Sequence, residues 1–466
     1  MANAVCRGQS ITGSRERRIS HAGGVLAERS RATLSRVSTN LSAGGAVDRP
    51  RLHVATEEIP DPGRLSGLLP EPGALAWIRR GEGMIAFGEV ARHKATSIAE
   101  AEQWWRETSA QVVVDRGLDG DEPAGAGFVA FGSFCFDHDN TPSESVLIIP
   151  QVVIGRRGGR AWRTTISNVG GDDWPSEDGP AAGAGALPVQ SPGAVSFADG
   201  KLSGPEWESM IGETVRRINA GKLGKVVMAR ELLALAANPI DPRWLVARLA
   251  ADYPACWTYH VDGLVGATPE MLIRRESGLA TSRVLAGTIR RSDDADHDLA
   301  LAAALSQSSK DLQEHEYAVD SVARALAPYC SGMNVPDAPY VLELPNVLHL
   351  ATDVTAVAGP DASSLAMAAA LHPSAAVCGT PTDAARATIA ELEQLDRNRY
   401  TGPVGWIDAD GDGEWAIALR CGRIDPDDPR QIRLYAGCGI VAESDPAAEL
   451  AESVAKLVPM RDALGS

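Results

Sequence analysis

The feature that most limits what this chain can fold into is the irregular succession of strand-like and helical patterns between residues 204 and 464. The stretch opens on "GPEWESMIGETVRRINAG", whose apolar residues recur at helical spacing and which Gly221 stops. The strand-like runs "KVVMARELLAL", "CWTYHVDGLVGAT" and "EMLIRR" follow, with a helix expected over Pro242 to Asp252 among them. Further helices are expected at 308–327, 363–371, 382–395 and 447–464, and the runs "GPVGWID", "GEWAIALRCGRI" and "QIRLYAGCGIV" read as strands before the last of them. Strands and helices mix without a strict strand–helix–strand rhythm. An antiparallel sheet covered by helices is the arrangement this order favours, so the expected class is α+β.

Ahead of this stretch, "GAGFVAFGSFCF" and "SVLIIPQVVIGRR" read as strands around a helix near "IAEAEQWWRE". The segment at 170–194, rich in Gly, Pro and Asp, reads as an exposed connection. The expected organisation is one domain over 52–466, made of a β-rich part at 52–169, a loop at 170–200 and a core at 201–466. Residues 1–51 hold nine arginines against three acids with many Ser, Gly and Ala, and are read as disordered. Such an acid-poor start resembles a transit peptide, but a plain flexible tail or a misassigned start is preferred.

A formal net charge of −17 argues against non-specific binding to nucleic acid or anionic membranes, which requires a clustered basic surface. An anionic small molecule is not excluded, since local cations or a metal outweigh a distant field. The seven cysteines are scattered and form no C-x-x-C, which suggests neither a disulfide framework nor a structural zinc site and fits a reducing cytoplasm. No run of eighteen apolar residues and no signal-peptide core is present, so a cytoplasmic protein is expected.

Several motifs carry candidate chemistry. "DADGDGE" begins like a calcium loop, but Leu419 stands where a bidentate Glu is required, so a polar hairpin turn is the better reading. In "SSKDLQEHEY" a helix places Asp311 and Glu314 on one face, and Glu449, Glu452 and Lys456 recur one turn apart in the last helix. Each cluster alone reads first as a solvated helix surface or a surface ion pair; two such helices facing each other can hold one Mg²⁺. Lys225, at the start of an apolar strand, either snorkels to solvent or serves as a base in a semi-buried site. Glu270 follows a Thr-Pro corner, and the glycines Gly437 and Gly439 of "YAGCGIV" leave backbone N–H groups open for a carboxylate or mark a bulge. In "LHPSAAVCGTP" the small residues Ala375, Ala376, Cys378 and Gly379 gather just before a helix, where they let a ligand approach the backbone closely.

Taken in order, "KVVMAR", "GATPEMLIRR", "VLAGTIRR", "SSKDLQEHE", "LPNVLHLATDV", "LHPSAAVCGTP", "YTGPVGW", "GEWAIALRCG", "RLYAGCGIV" and "AELAESVAKL" resemble the chorismate-utilising enzymes, from about 204 to 464. "AFGSFCFD" extends the resemblance more weakly into the first part. The resemblance implies a single α+β domain of two packed sheets surrounded by helices. It implies that Glu314 and Glu452 bind Mg²⁺, with Asp311 and Glu449 supporting them through water. Tyr400, Arg420, the backbone of Gly437 and Gly439, and Lys456 fall where the family binds the two carboxylates of chorismate. His349 falls at the position that faces the substrate in relatives and is assigned orientation rather than proton transfer, and Ala376 and Gly379 lie in the turn that packs against the substrate's ring.

For isochorismate formation the resemblance implies that Lys225 takes a proton from the attacking water while Glu270 protonates the departing hydroxyl. These roles need opposite protonation states. Ala286 stands where one class of aminodeoxychorismate synthase carries a nucleophilic lysine. Ala376 stands where anthranilate and salicylate synthases usually carry threonine. The expected activity is therefore that of an Mg²⁺-dependent isochorismate synthase, supplying menaquinone or a siderophore, acting as a monomer without a glutaminase subunit. The alternatives are a salicylate synthase, an anthranilate synthase component I, and a non-catalytic chorismate-binding subunit.

Overall fold

In "LAWIR" (Leu75–Arg79) every apolar side chain is buried, yet alternate residues go to different places. Leu75 and Trp77 join one apolar cluster, and Ala76 and Ile78 join another. A strand whose two faces are both buried must lie in a sheet covered on both sides. The computed structural model describes residues 52–465 apart from 119, 121, 169–186, 293 and 344–346, and only the backbone of 116, 288, 310 and 314. Two sheets, of thirteen and ten strands, are packed together.

Their shared core holds Trp77, Phe131, Trp257, Tyr259, Trp406 and Tyr435. The outer face of the larger sheet is covered by the helices Pro242–Asp252 and Pro446–Leu464, which contribute Leu245, Leu249, Leu457 and Met460 to one cluster with Ile78 and Val265. The helices Ile98–Ser109, Ser309–Leu326 and Ser364–Leu371 cover the smaller sheet through Trp105, Val322 and Leu365. Every strand pairing among the described residues is antiparallel except that of Leu52–Glu58 with Val113–Arg116. The architecture is the expected α+β one, and in each sheet a block of strands from before residue 170 joins a block from after it, through Trp77 beside Tyr259 in the larger sheet and Phe131 beside Trp406 in the smaller.

The structure differs from the sequence reading in several places. Residues 195–199, read as the end of a loop, form a strand that pairs antiparallel with residues 232–236. The run 145–157 is two strands, Ser145–Ile149 and Val152–Arg157, which belong to different sheets. The helix expected over 382–395 stops at Leu392, because Gln394 adopts a left-handed backbone (φ +52°). A helix at Ala295–Gln307, capped by the Asp294 side chain, precedes the one expected at 308–327. "DADGDGE" is the predicted hairpin, joining Pro403–Asp408 to Gly413–Ile417, and Asp408 is buried with its carboxylate accepting the N–H groups of Asp410 and Asp412. Residues 1–51 and 170–186 lie outside the described residues. No described helix is long and apolar enough to cross a membrane.

"GEWAIALRCGRI" is also two strands, and the break positions the site. Gly413–Ile417 belongs to the smaller sheet and Cys421–Ile424 to the larger, with Arg420 between them in a left-handed conformation (φ +49°). Beside it, Leu264–Thr268 lies in the larger sheet and Met271–Glu276 in the smaller, with Pro269 and Glu270 between. Two chain segments thus pass from sheet to sheet side by side. They are fastened to each other on the way, the Ala267 N–H donating to the Arg420 carbonyl (3.2 Å) and the Ile417 N–H to the Glu270 carbonyl (3.0 Å).

Candidate active site

Where the two crossings leave the sheets, a cavity of about 460 Å³ opens. Twelve of the fourteen residues singled out in the sequence line it: Lys225, Glu270, Asp311, His349, Ala376, Tyr400, Arg420, Gly437, Gly439, Glu449, Glu452 and Lys456. They come from strands of both sheets, from two helices and from the small-residue turn, so only the folded chain brings them together.

One wall is the strand Lys225–Ala236 with its neighbour Gln431–Ile440, in register Val227 to Gly439 and Ala229 to Gly437. The glycines there make room for side chains. A Cβ on Gly439 would come within 2.9 Å of Cε of Lys225, and one on Gly437 within 3.1 Å of the Tyr400 hydroxyl. Tyr400 is held from behind by Tyr435, stacked at 5.1 Å between ring centroids. Gly379 is not among the residues that line the cavity. It pairs with Val226 at φ +140°, where a Cβ would lie 2.3 Å from the Lys225 carbonyl oxygen, so its part is to let the turn close onto the strand that carries Lys225.

The electrostatics separate the ionisable groups. Burial raises the Glu270 carboxyl to about 7, although the charges of Arg420, Lys225 and Lys456 pull the other way. A carboxyl at that value is a proton donor near neutral pH, as general acid work demands. His349 is pushed down to about 3, first by burial and then by the same Arg420 and Lys456 charges. Its imidazole is therefore neutral near pH 7, and it suits orientation through hydrogen bonding better than protonation of a leaving group. Arg420 and Lys456, facing one cavity beside Lys225 in a chain of net charge −17, make a local site for a polyanion.

The last helix supplies the carboxylates for a cation. Asp445 caps it by accepting the Ala448 N–H, and Glu449 and Glu452 follow on one side. Burial raises Glu449 above the usual carboxyl range, with the Glu452 charge adding to the effect. Burial acts on Glu452 too, but the ion pair with Lys456 (2.6 Å) and the Arg420 charge outweigh it and hold that carboxylate low. Lys456 also donates to the Gly437 carbonyl at 2.9 Å. The two carboxylates and the Cys438 sulfur offer ligand atoms within 4.8 Å of one another. The Cys438 thiol donates to the Glu449 carbonyl at 3.3 Å, and the two carboxylates offer oxygen donors, a set that fits a hard cation such as Mg²⁺. Asp311, capped by the Ser308 hydroxyl, lines the same cavity. The side chain of Glu314 lies outside the described residues.

Two features escaped the sequence reading. Ser444 donates to Glu449 (2.7 Å) and accepts the Val441 N–H, bracing the loop before the last helix. Its signal was a hydroxyl two residues before a helix-opening proline. Glu393 and Arg397 form a fully buried ion pair behind the cavity wall, in a segment, "ELEQLDRNRY", whose charge density reads as solvent-exposed.

A family model described as chorismate binding enzyme matches residues 77–465. Isochorismate synthase DhbC of Bacillus subtilis (strain 168) is 39% identical over 272 residues, covering 56% of this chain and 68% of that protein. The salicylate biosynthesis isochorismate synthase of Pseudomonas aeruginosa is 32% identical over 453 residues, covering 90% and 92%. The solved structure of MenF, the menaquinone-specific isochorismate synthase from Escherichia coli, matches with a TM-score of 0.74 at 25% identity, over 89% of this chain and 95% of that one. With a cavity built for a polyanion at the meeting of its two sheets, this chain belongs to the family of chorismate-binding enzymes.

Proposed function

We propose that the chain is an isochorismate synthase, converting chorismate to isochorismate with Mg²⁺ bound. The observation that carries this reading is the Glu270 carboxyl, raised to about 7 by burial in a cavity that Lys225 also lines. The reaction needs an acid and a base working at once on one ring. Lys225, acting as the neutral amine, accepts a proton from water as the water oxygen forms a bond to C2 of the ring. The double bonds shift, the C4–O bond breaks, and Glu270 gives its proton to the departing hydroxyl. Water enters and water leaves, so the net change is an isomerisation.

The substrate's carboxylates are assigned to Arg420, Tyr400, Lys456 and the N–H groups between Gly437 and Gly439, and His349 orients the ring. Glu314 and Glu452 would hold the Mg²⁺, with Asp311 and Glu449 supporting them, and the ion would supply positive charge against the ring carboxylate. Ala376 leaves the turn small and without a hydroxyl near the ring, which favours release of isochorismate over a further elimination. The enzyme is taken to work as a cytoplasmic monomer on chorismate alone, without a glutaminase subunit. Support for a reducing compartment comes from the described cysteines, all of them free thiols.

Incubating the purified protein with chorismate and Mg²⁺, with an EDTA control, and separating the products by chromatography tests this reading. Isochorismate without pyruvate, lost on chelation, is the expected result. Salicylate with stoichiometric pyruvate would replace the reading with that of a salicylate synthase, and binding without turnover would leave a non-catalytic subunit.

A further inference from the structure

The strand Lys225–Ala236 pairs along one side with Gln431–Ile440 from Val226 to Leu235. On its other side the pairing has a gap. Residues 225–226 meet the short strand Gly379–Thr380 and residues 232–236 meet Val195–Asp199, which leaves the backbone groups between them without a strand neighbour. Buried backbone N–H and carbonyl groups must find partners. Here the turn and side chains supply them. The Val227 N–H donates to the Cys378 carbonyl at 2.8 Å, and the Trp207 indole donates to the Ala229 carbonyl at 3.1 Å.

Two more of these groups are taken by the pair Glu393–Arg397, whose side chains are 1% and 2% exposed. Arg397 donates to the Val227 carbonyl (2.6 Å) and to the Val377 carbonyl (2.9 Å), while Glu393 accepts the Ala229 N–H. Two further bonds, of 2.7 and 2.6 Å, lock the guanidinium to the carboxylate, and the Phe136 ring lies 4.3 Å from it. The Arg397 carbonyl in turn accepts the Tyr400 N–H at 2.9 Å. Val227, Val377 and Tyr400 all line the cavity. Val227 is two residues from Lys225 on the same face of its strand, and Val377 is adjacent to Ala376 in the turn.

We propose that Arg397, locked by Glu393, is a positioning residue that fixes the spacing between the strand carrying Lys225 and the turn carrying Ala376. The inference rests on the proposed roles of those two residues. A buried ion pair is a poor device for stability alone, because well-packed apolar residues of similar volume often serve as well or better. What apolar residues cannot do is hold two backbone carbonyls from different segments on one planar group with a fixed fork of donors.

Two variants test this. The double substitution Glu393→Leu with Arg397→Met removes both charges and keeps the volume. The substitution Arg397→Lys keeps the charge and loses the fork. Thermal unfolding, chorismate binding per folded protein, kcat and KM are measured for each. The double variant should unfold within a few degrees of the parent and bind chorismate, while kcat falls about 100-fold, the scale expected for a misplacement near 1 Å. Arg397→Lys should lose about tenfold in kcat with KM little changed. A folded variant of either kind with the parental kcat would overturn the proposal, as would a kcat that falls only in proportion to the folded fraction. Failure of both variants to fold would make the pair a folding determinant and would equally overturn it. A parent without turnover would defeat the proposed function, whereas an active parent with unaffected variants would defeat this inference alone.

Discussion

Two carboxylates stand between the sheets of this molecule, and they have opposite surroundings. Glu414, on the strand Gly413–Ile417, is 5% exposed and accepts hydrogen bonds from the indoles of Trp77 (2.7 Å) and Trp257 (3.2 Å) and from Arg157 (3.1 Å). Glu270, at the crossing beside the same strand, meets no donor at hydrogen-bond distance to its carboxyl among the described residues, and only the more distant charges of Arg420, Lys225 and Lys456 favour its ionised form. Three fixed donors make the first group a strut that ties one sheet to the other. Burial without donors makes the second a reserve of one proton. The same side chain in the same layer is structural or chemical according to whether N–H groups are aimed at it.

That contrast can be broken at either end. Replacing Glu270 by Gln removes the proton donor and should lower kcat by about 10³-fold while the melting temperature holds or rises, since an unfavourably buried acid is gone. Steady-state kinetics beside thermal unfolding measures both. Glu414→Leu should do the reverse, costing about 3 kcal/mol by leaving two indole N–H groups without their acceptor and Arg157 with Glu276 alone, with kcat within a few-fold of the parent; urea unfolding reads the loss.

The pH response sharpens the comparison. The folded state binds the Glu270 proton more tightly than the unfolded chain, so this group's contribution to stability is full below the ordinary Glu value of 4.5 and declines as pH rises from there to about 7. The rate should fall through the same upper limit, about tenfold per pH unit above 7, and that limb should vanish in Glu270→Gln. The smallest effect expected is in Ala376→Thr, where a hydroxyl in the turn should yield detectable pyruvate from chorismate. A lactate dehydrogenase-coupled assay checks this, and a product mixture free of pyruvate would show that the position alone does not choose the product.

The site was legible in the sequence because its members sit in short, chemically distinctive blocks. Lys225 heads an apolar strand, Glu270 follows Thr-Pro, and Glu449 and Glu452 share a helix face with Lys456. What the blocks did not disclose was environment. Nothing in "ATPEML" says that Glu270 meets no donor among the described residues, and nothing in "DGDGEW" says that Glu414 is met by two indoles from strands more than 150 residues away. The breaks between sheets were hidden for a related reason. "GEWAIALRCGRI" keeps a continuous strand-like composition across its crossing, and the turn is made by Arg420 at φ +49°, a residue that carries none of the turn signal of Gly or Pro. Glu393 and Arg397 were hidden because a dense run of charge reads as surface, and only the open side of a strand explains why it is buried.

The side-by-side crossings bear on how such an enzyme can change over time. Strand side chains alternate, so one residue inserted in either crossing would turn all that follow it to the opposite face, exchanging the inter-sheet core for the outer ones and carrying Glu270 or Arg420 out of the cavity. Because each crossing is also bonded to the other, a change of length in one would have to be matched by its neighbour. Mutational drift is therefore blocked at the joint and open at the turn of residues 374–378, where a side chain can grow by one methyl or one hydroxyl without moving a strand. New chemistry in this architecture is expected to arise at its turns, while the joint between its sheets stays fixed in length.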